Sequence, residues 1–257
     1  MSKFYIENSA NNVLDNERNF LLEQLNNFKV LYNYELINEN DIKNLNIQKD
    51  DIPVGSIQFV ENFLKITENP IEIPKYLRTE EFLKRDYKIC TWDKIPRYGV
   101  YFLKDVSKLK LFGNIMNANY TDIDDLFNYI PKNKYDSTLV LDKNHLFQVS
   151  NIIDIKSEYR VYVFGGEIEQ ISYYNGDCTI FPDVKLINKA INLINYHEKW
   201  LKSYTIDVAV NNNGTCLLEI HNFTSCGLYS TLWGSSLIYA YKDGIDYLIH
   251  DNHKLEI

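Results

Sequence analysis

Residues 205–220 read TIDVAVNNNGTCLLEI, which is two apolar arms around a polar Asn-Asn-Asn-Gly segment. In each arm apolar and polar side chains alternate, a pattern typical of half-buried β-strands. We predict a hairpin with the three-residue loop Asn212-Asn213-Gly214, in which Gly214 adopts the left-handed conformation. This register places Asp207 directly opposite Glu219 on one face of a sheet.

Two carboxylates in opposed positions repel each other and destabilise a sheet. A chain keeps such a pair when a cation or a shared proton lies between the two groups. Mg²⁺ typically takes one or two carboxylates and completes its coordination with substrate phosphates. A metal site at Asp207 and Glu219 is therefore one interpretation of the pattern. The alternative is that the register slips and one of the two side chains faces solvent.

Composition limits the classes of function. The chain has 257 residues, which is one large or two small domains, and 45% of them are hydrophobic, enough for a sizeable core. Its net charge of −8 disfavours unspecific binding to nucleic acid or to an anionic membrane. No apolar stretch reaches transmembrane length, and the N-terminus lacks the pattern of a secretion signal. The cysteines show no CxxC spacing, so we expect a reducing, cytoplasmic setting; they are Cys90, Cys178, Cys216 and Cys226.

The spacing of apolar residues predicts a mixture of helices and strands. We expect a helix that begins at the cap Asp183 and extends toward Leu201, and a hairpin that turns at Gly165-Gly166. The other predicted elements are helices at 15–28, at 122–129 and within 228–249, and strands at 98–104, 138–142, 145–149, 157–164 and 167–174.

Several charged groups could meet the opposed carboxylates. Lys104 lies at the end of a predicted strand, and Lys108 and Lys110 follow it shortly before Phe112-Gly113. Lysines at such a place can hold a polyphosphate as point charges. The alternative reading, which a bare lysine run favours, is that Lys108 and Lys110 form a solvated face.

Arg160 stands inside a strong strand pattern, where its charge needs a partner if it is covered. Phosphate oxygens accept the planar guanidinium well. An ordinary partner such as Glu158 or Glu169 is the alternative. A last group follows the second carboxylate, in the run Glu219-Ile220-His221-Asn222. A histidine such as His221, taken alone, is more often structural than a ligand.

Taken in order, these residues resemble the ATP-grasp superfamily, and they are most similar to a compact clade, known from bacteria and phages, that is named for one arginine and two lysines. The resemblance spans roughly residues 50–235. It implies an α+β ATP-grasp fold with a reduced, pre-grasp-like N-terminal subdomain at 1–90 and two nucleotide-gripping lobes at 91–257. The residues that carry it are Gly55–Val60, Lys104, Lys108 or Lys110 before Phe112-Gly113, Glu158-Tyr159-Arg160, Asp207, Glu219-x-His221-Asn222 and Gly227-Leu228-Tyr229.

Carried over residue by residue, the resemblance implies a role for each position. Lys104 and one of Lys108 or Lys110 would contact the nucleotide phosphates. The hinge under adenine would be Gln148-Val149-Ser150, and Glu158 would approach the ribose or structure the site.

The same resemblance implies which residues would bind the metal ion and the transferred phosphate. Asp207 and Glu219 would hold Mg²⁺, and Arg160 would bind the terminal phosphate or the acyl-phosphate. The family usually has asparagine two residues after the metal-binding glutamate. Here His221 occupies that position and Asn222 lies beside it, so either could take the catalytic role. The glycine-rich phosphate loop of larger family members is absent from the sequence.

The implied activity is that of an ATP-dependent ligase. A carboxylate attacks ATP to give an acyl-phosphate and ADP, and an amine, or less often a thiol or hydroxyl, then displaces phosphate. The expected partners are small-molecule, peptide or protein carboxylates and amines, with no membrane and no nucleic acid. The alternatives are a catalytically degenerate nucleotide-binding module and an ATP-dependent phosphotransferase or nucleic-acid-end ligase. A structural protein, in which the opposed carboxylates are accidental, is a further alternative.

Overall fold

The computed structural model describes residues 3–8, 12–29, 31–66, 72–106, 113–117, 122, 124–126, 144–224, 226–229 and 235–253. Within these ranges the chain forms three sheets with helices packed against them, which confirms the predicted α+β class. The helices are α1 (Asn12–Asn27), α2 (Ile57–Leu64), α3 (Glu80–Leu83), α4 (Val184–His197) and α5 (Ser236–His253). The strands are β1 (Lys3–Glu7), β2 (Asn33–Ile37), β3 (Ile52–Val54), β4 (Tyr87–Thr91), β5 (Val100–Asp105), β6 (Gly113–Asn117), β7 (Leu146–Ser150), β8 (Ser157–Phe164), β9 (Glu167–Gly176), β10 (Tyr204–Asn211) and β11 (Gly214–Asn222).

The N-terminal unit is a parallel sheet of order β2-β1-β3, covered by α1 and α2. Its core contains Phe4 of β1, Leu21 of α1 and Phe59 of α2. Helix α5, from the other end of the chain, packs into the same core through Leu237 and Tyr241. The two ends of the chain are therefore held together by apolar burial, which is the main favourable term in folding.

The middle sheet is antiparallel, in the order β4-β7-β5-β6, around a core that includes Trp92, Leu103, Phe147 and Val149. Strand β4 spans residue 90, where the sequence predicts the end of the N-terminal subdomain. That boundary stays a prediction. In the structure β4 pairs with β7, so residues 87–91 lie within the middle sheet.

The C-terminal sheet is antiparallel, in the order β11-β10-β8-β9, with α4 packed on one face. The predicted hairpin between β8 and β9 is confirmed, and Gly165 and Gly166 at its turn both have positive φ. The predicted cap of α4 is also confirmed, because an Asp183 carboxylate oxygen accepts a hydrogen bond from the Lys185 amide at 2.8 Å. The final helix is confirmed as α5. Half of 122–129 and all of 138–142 lie outside the described residues.

Strand β10 differs from the half-buried strand expected from the sequence, because all eight of its residues are buried. It lies between β11 and β8, so neither of its edges is free. One of its faces packs on α4, and the other bears the polar residues of the site described below. None of the described helices is long and apolar enough to cross a bilayer.

Candidate active site

The opposition of Asp207 and Glu219 is confirmed, but it arises in a different way from the one predicted. Asn211 pairs with Gly214, so the connection has two loop residues instead of three, and Gly214 has φ +101°. The register then shifts between Asp207 and Val208, since Val208 pairs with Leu217 and Asp207 pairs with Glu219. Leu218 is the extra residue of a β-bulge, a feature that re-aims the side chains that follow it.

A polar row crosses the C-terminal sheet at this point. Asp207 pairs with Glu219 on one side and with Arg160 on the other, and Arg160 in turn pairs with Ser172. Directly paired residues of neighbouring strands lie on the same face of a sheet. The four strands therefore present one glutamate, one aspartate, one arginine and one serine side by side, on the face that is not covered by α4.

Asp207 binds Arg160 through two of the three guanidinium nitrogens. Arg160 Nε donates to Asp207 Oδ1 at 2.7 Å and Nη2 donates to Oδ2 at 2.8 Å, while Nη1 donates to the Gly227 carbonyl at 3.1 Å. The partner is thus Asp207, and not the Glu158 or Glu169 considered from the sequence. Burial opposes the charged form, but hydrogen bonds and attraction from Asp207 outweigh it and raise the pKa of Arg160.

Glu219 is bound by two basic side chains. Lys104 Nζ lies 3.1 Å from Glu219 Oε2, and His221 Nε2 lies 2.7 Å from Glu219 Oε1. The repulsion expected between the opposed carboxylates is therefore relieved by the protein's own cations, with Arg160 on Asp207 and Lys104 on Glu219. The residues alone had left open whether a metal, a shared proton or a slipped register accounts for the pair.

A cleft of about 490 Å³ lies between the middle and the C-terminal sheets, and Asp207 and Glu219 of the polar row line it. Its size and its mixture of apolar and polar lining are typical of small-molecule sites. The lining residues with charged or polar side chains include Lys104, Gln148, Ser150, Glu158, Asp207 and Glu219, and the apolar ones include Phe102, Ile115, Ile152, Ile153, Ile155 and Leu218. A larger and more open depression of about 1370 Å³ lies on the N-terminal unit, and none of the predicted site residues line it.

The expected hinge residues lie on β7, and two of the three line the cleft. Gln148 and Ser150 line the cleft from β7, but the Val149 side chain points to the opposite face and is buried in the core of the middle sheet. Side chains alternate between the two faces along β7, so Val149 lies on the face opposite to that of Gln148 and Ser150. The segment that joins the two sheets is 151–156, and Ile152, Ile153 and Ile155 of this segment line the cleft. The sequence feature that could have indicated this segment is its run of isoleucines between two predicted strands.

The remaining predicted residues are placed as follows. Glu158 lines the cleft and accepts hydrogen bonds from Tyr174 Oη at 3.0 Å and Asn175 Nδ2 at 2.6 Å. β11 continues through Asn222, so His221 lies on the same face as Glu219, and the Asn222 Oδ1 atom accepts a hydrogen bond from Thr224 Oγ1 at 2.6 Å. Lys108 and Lys110 lie outside the described residues.

Two features of the site were missed from the sequence. Tyr229 covers Arg160, with the guanidinium 4.7 Å from the ring centroid, and stacks on Tyr174 at 4.9 Å. Arg85 lines the cleft from the segment before β4 and is buried. Burial lowers the pKa of Arg85. Tyr229 belongs to the run Gly227-Leu228-Tyr229 that carries the resemblance, but no role was predicted for it. Tyr174 belongs to no such run, and Arg85 precedes a strand without any neighbouring signal.

The carboxylates suit a metal that arrives with a nucleotide. Among the described residues there is no group of three or more His, Cys, Asp and Glu side chains that could hold an ion by themselves. Asp207 and Glu219 are the two that lie in register, and Mg²⁺ commonly uses one or two carboxylates together with substrate phosphates. The residues present therefore fit Mg²⁺ bound to a polyphosphate, with Lys104 close enough to share that charge.

A family model for an ATP-grasp domain, family 2 of the clade named for one arginine and two lysines, matches residues 82–233. Comparison with curated proteins finds no match.

Three solved structures illustrate the similarity of fold. D-alanine–D-alanine ligase from Bacillus anthracis, complexed with ATP, has a TM-score of 0.50 and 14% identity, over 99% of this chain and 98% of that one. D-cycloserine synthetase DcsG has a TM-score of 0.55 and 10% identity, over 96% and 100%. Macrocyclase MdnC, bound with precursor peptide MdnA from Microcystis aeruginosa MRC, has a TM-score of 0.50 and 10% identity, over 98% and 100%.

Proposed function

The chain belongs to family 2 of this arginine-and-lysine clade of the ATP-grasp superfamily, and from this premise we propose that it joins a carboxylate to an amine through an acyl-phosphate made from ATP. The superfamily consists of ATP-dependent ligases. The observation that carries the proposal is the connected set Lys104, Glu219, Asp207 and Arg160. The first three line the cleft, and Arg160 lies behind them on Asp207. Two cations and two carboxylates at adjacent positions can bind a polyphosphate together with its metal ion.

The cleft offers different surfaces to the two ends of a nucleotide. Its apolar part, which includes Phe102, Ile152 and Leu218, suits the faces of a purine. Gln148 and Ser150 supply hydrogen-bonding groups beside that part. The charged row supplies the polyphosphate end, where Lys104 would leave Glu219 for a phosphate oxygen. A flexible ammonium suits such an exchange because it binds as a point charge.

Asp207 and Glu219 would hold Mg²⁺, which when bound supplies positive charge to the phosphates and orients them. Arg160 has little free capacity in the structure, because its donors bind Asp207 and Gly227. Nη1, which donates to the Gly227 carbonyl, is the group that can bind a substrate instead. This exchange breaks only one hydrogen bond and leaves both hydrogen bonds to Asp207 intact. Tyr229 would have to move at the same time, because it lies over the guanidinium.

The proposed reaction has two steps. A carboxylate oxygen of the first substrate attacks the γ-phosphorus of ATP, and the bond to the bridging oxygen breaks to release ADP. The amine nitrogen then attacks the acyl carbon, phosphate leaves, and the ammonium proton passes to solvent or to a nearby base. The protein contributes by positioning the groups and by stabilising charge on the transferring phosphoryl group, so no covalent nucleophile is required. His221, held by Glu219, and the adjacent Asn222 are the residues proposed to act beside that phosphoryl group.

The acceptor class is proposed to be a small molecule or a peptide, because MdnC, which shares the fold, was crystallised with a precursor peptide. The test is to incubate the protein with ATP, Mg²⁺, ¹⁸O-labelled carboxylates and a set of amines and peptides. An acyl-phosphate step transfers one ¹⁸O atom from the carboxylate to the released phosphate.

The expected result is ADP formation that depends on both substrates, with ¹⁸O in the phosphate. Nucleotide binding without turnover under every condition would favour the degenerate nucleotide-binding module. A phosphorylated product that retains the phosphoryl group would favour the phosphotransferase. Either of these outcomes would overturn the proposal.

A further inference from the structure

Arg85 is a buried cation without an anionic partner among the described residues. Its side chain is 9% exposed. Nη1 donates to the carbonyls of Leu83, at 3.0 Å, and of Leu217, at 2.9 Å. The guanidinium therefore joins the C-terminal end of α3 to the middle of β11, two segments that are far apart in the chain.

The carbonyl bound by Arg85 belongs to the β-bulge. Leu217 is the last residue before the register shifts, and Leu218 is the extra residue of β11. Among the described residues β11 is also an edge strand, with β10 on one side. On that edge Arg85 supplies hydrogen bonding that a neighbouring strand would otherwise provide. A buried carbonyl that is left without a donor destabilises the fold.

The bulge decides which way Glu219 faces. The pairing near the turn matches Val208 with Leu217, so a regular ladder would continue by matching Asp207 with Leu218. A shift of one residue moves every following side chain to the other face of the sheet. Without the bulge, Leu218 would lie beside Asp207, and Glu219 would point into the core under α4.

We propose that Arg85 is a positioning residue, which stabilises the bulge at Leu218 and thereby holds Glu219 beside Asp207 on the wall of the cleft. An arginine suits this role because one planar group can reach both carbonyls and keeps its charge when buried. An apolar side chain of similar size would avoid the cost of burying an unpaired charge, but it would leave the Leu217 carbonyl without a donor. The consequence for metal binding rests on the proposed function, whereas the consequence for strand register does not.

The test combines Arg85→Met with deletion of Leu218. The deletion removes the extra residue, so a regular ladder then places Glu219 opposite Asp207 without a bulge. Arg85→Met in the otherwise unchanged chain should raise the Mg²⁺ concentration needed for half-maximal binding of an ATP analogue by about 10- to 100-fold, as for other residues that support metal ligands. Binding of the analogue without metal should change less than about twofold. In the deletion background the same substitution should change the Mg²⁺ requirement by less than about twofold.

Crystal structures of the variants supply a readout that does not depend on activity. In Arg85→Met we expect Leu218 to lie opposite Asp207, and in the deletion variant we expect Glu219 there. Arg78→Met is the matched control, because Arg78 binds the Ile73 carbonyl and Glu72 and does not contact β11. If Arg85→Met does not fold, the same measurements are made on Arg85→Lys. Lysine keeps the positive charge and is expected to donate a hydrogen bond to one of the two carbonyls.

Unchanged register and unchanged Mg²⁺ dependence in Arg85→Met would overturn the inference. Equal loss of metal-free nucleotide binding in both backgrounds would also overturn it, because Arg85 would then contact the ligand directly. Failure of the unsubstituted protein to bind Mg²⁺ and nucleotide would instead count against the proposed function. In that case the register seen in the crystal structures would still decide the role of Arg85.

Discussion

Lys104 Nζ lies 3.1 Å from Glu219 Oε2, so one ion pair links the middle sheet to the C-terminal sheet across the cleft. Lys104 pairs with Gln148 inside the middle sheet, and Glu219 pairs with Asp207 inside the C-terminal sheet. Each partner thus lies on a hydrogen-bonded strand, and the pair connects the two sheets. A nucleotide with its metal ion would replace this pair by two separate contacts, one from each sheet.

Replacement of Lys104 should act mainly on nucleotide affinity. We expect Lys104→Met to raise the KM for ATP about tenfold and to lower kcat less than about threefold, because the ammonium contacts phosphates that are charged in both the ground state and the transition state. Steady-state kinetics measures KM and kcat, and calorimetry with an ATP analogue measures nucleotide affinity. Lys88→Met is the control, since Lys88 is exposed on the same sheet and donates to the Lys94 carbonyl. A loss confined to kcat would contradict this role for Lys104.

Replacement of the two carboxylates should affect stability unequally. Repulsion alone predicts that removing either charge stabilises the protein, but Asp207 binds the buried Arg160 with both oxygens. We expect Asp207→Asn to lower the free energy of unfolding by about 3 kcal/mol, since it leaves a buried guanidinium without its anion. Glu219→Gln should cost about 1 kcal/mol or less, because this glutamate is only partly covered. Urea denaturation without metal or nucleotide measures both values.

The double variant Arg160→Met/Asp207→Asn provides the control for this prediction. It removes both charges, so it should recover part of the stability lost in Asp207→Asn. An Asp207→Asn protein as stable as the unsubstituted one would show that the ion pair does not form in solution.

Arg160→Lys keeps the charge but loses the planar guanidinium. We expect kcat to fall about 100-fold and the affinity for ATP to fall less than about fivefold, because charge on the transferring phosphoryl group is largest in the transition state. Lysine also cannot hold both Asp207 oxygens, so unfolding must be measured beside the kinetics. Equal small losses in kcat and in affinity would indicate that Arg160 serves only as the partner of Asp207.

The sequence predicted the parts of this site that depend on local patterns. The opposition of Asp207 and Glu219 was predicted with a three-residue loop, whereas the structure reaches it through a two-residue loop and a bulge. The turn at Gly165-Gly166 and the Asp183 cap each follow from a turn or cap residue within a few positions. The bulge at Leu218 does not, because the hydrogen bond at its edge comes from Arg85, 132 residues earlier in the chain. The burial of Val149 likewise depends on its place in the middle strand of a sheet, which alternation alone does not determine.

His221 stands where the family usually has asparagine. The positions of His221 and Asn222 in the structure bear on which of the two takes the role of that asparagine. His221 lies 2.7 Å from Glu219, while the Asn222 side chain accepts a hydrogen bond from Thr224 on the other side of the strand. We therefore expect His221→Asn to retain more than about a third of kcat, because the amide can reach the same phosphate or metal, and His221→Ala to lose about 10- to 100-fold. Asn222→Ala should lose less than about threefold and serves as the matched control. Loss of turnover in Asn222→Ala with full activity in His221→Ala would reverse the assignment. Equal thermal stability of the two alanine variants would then exclude misfolding as the cause.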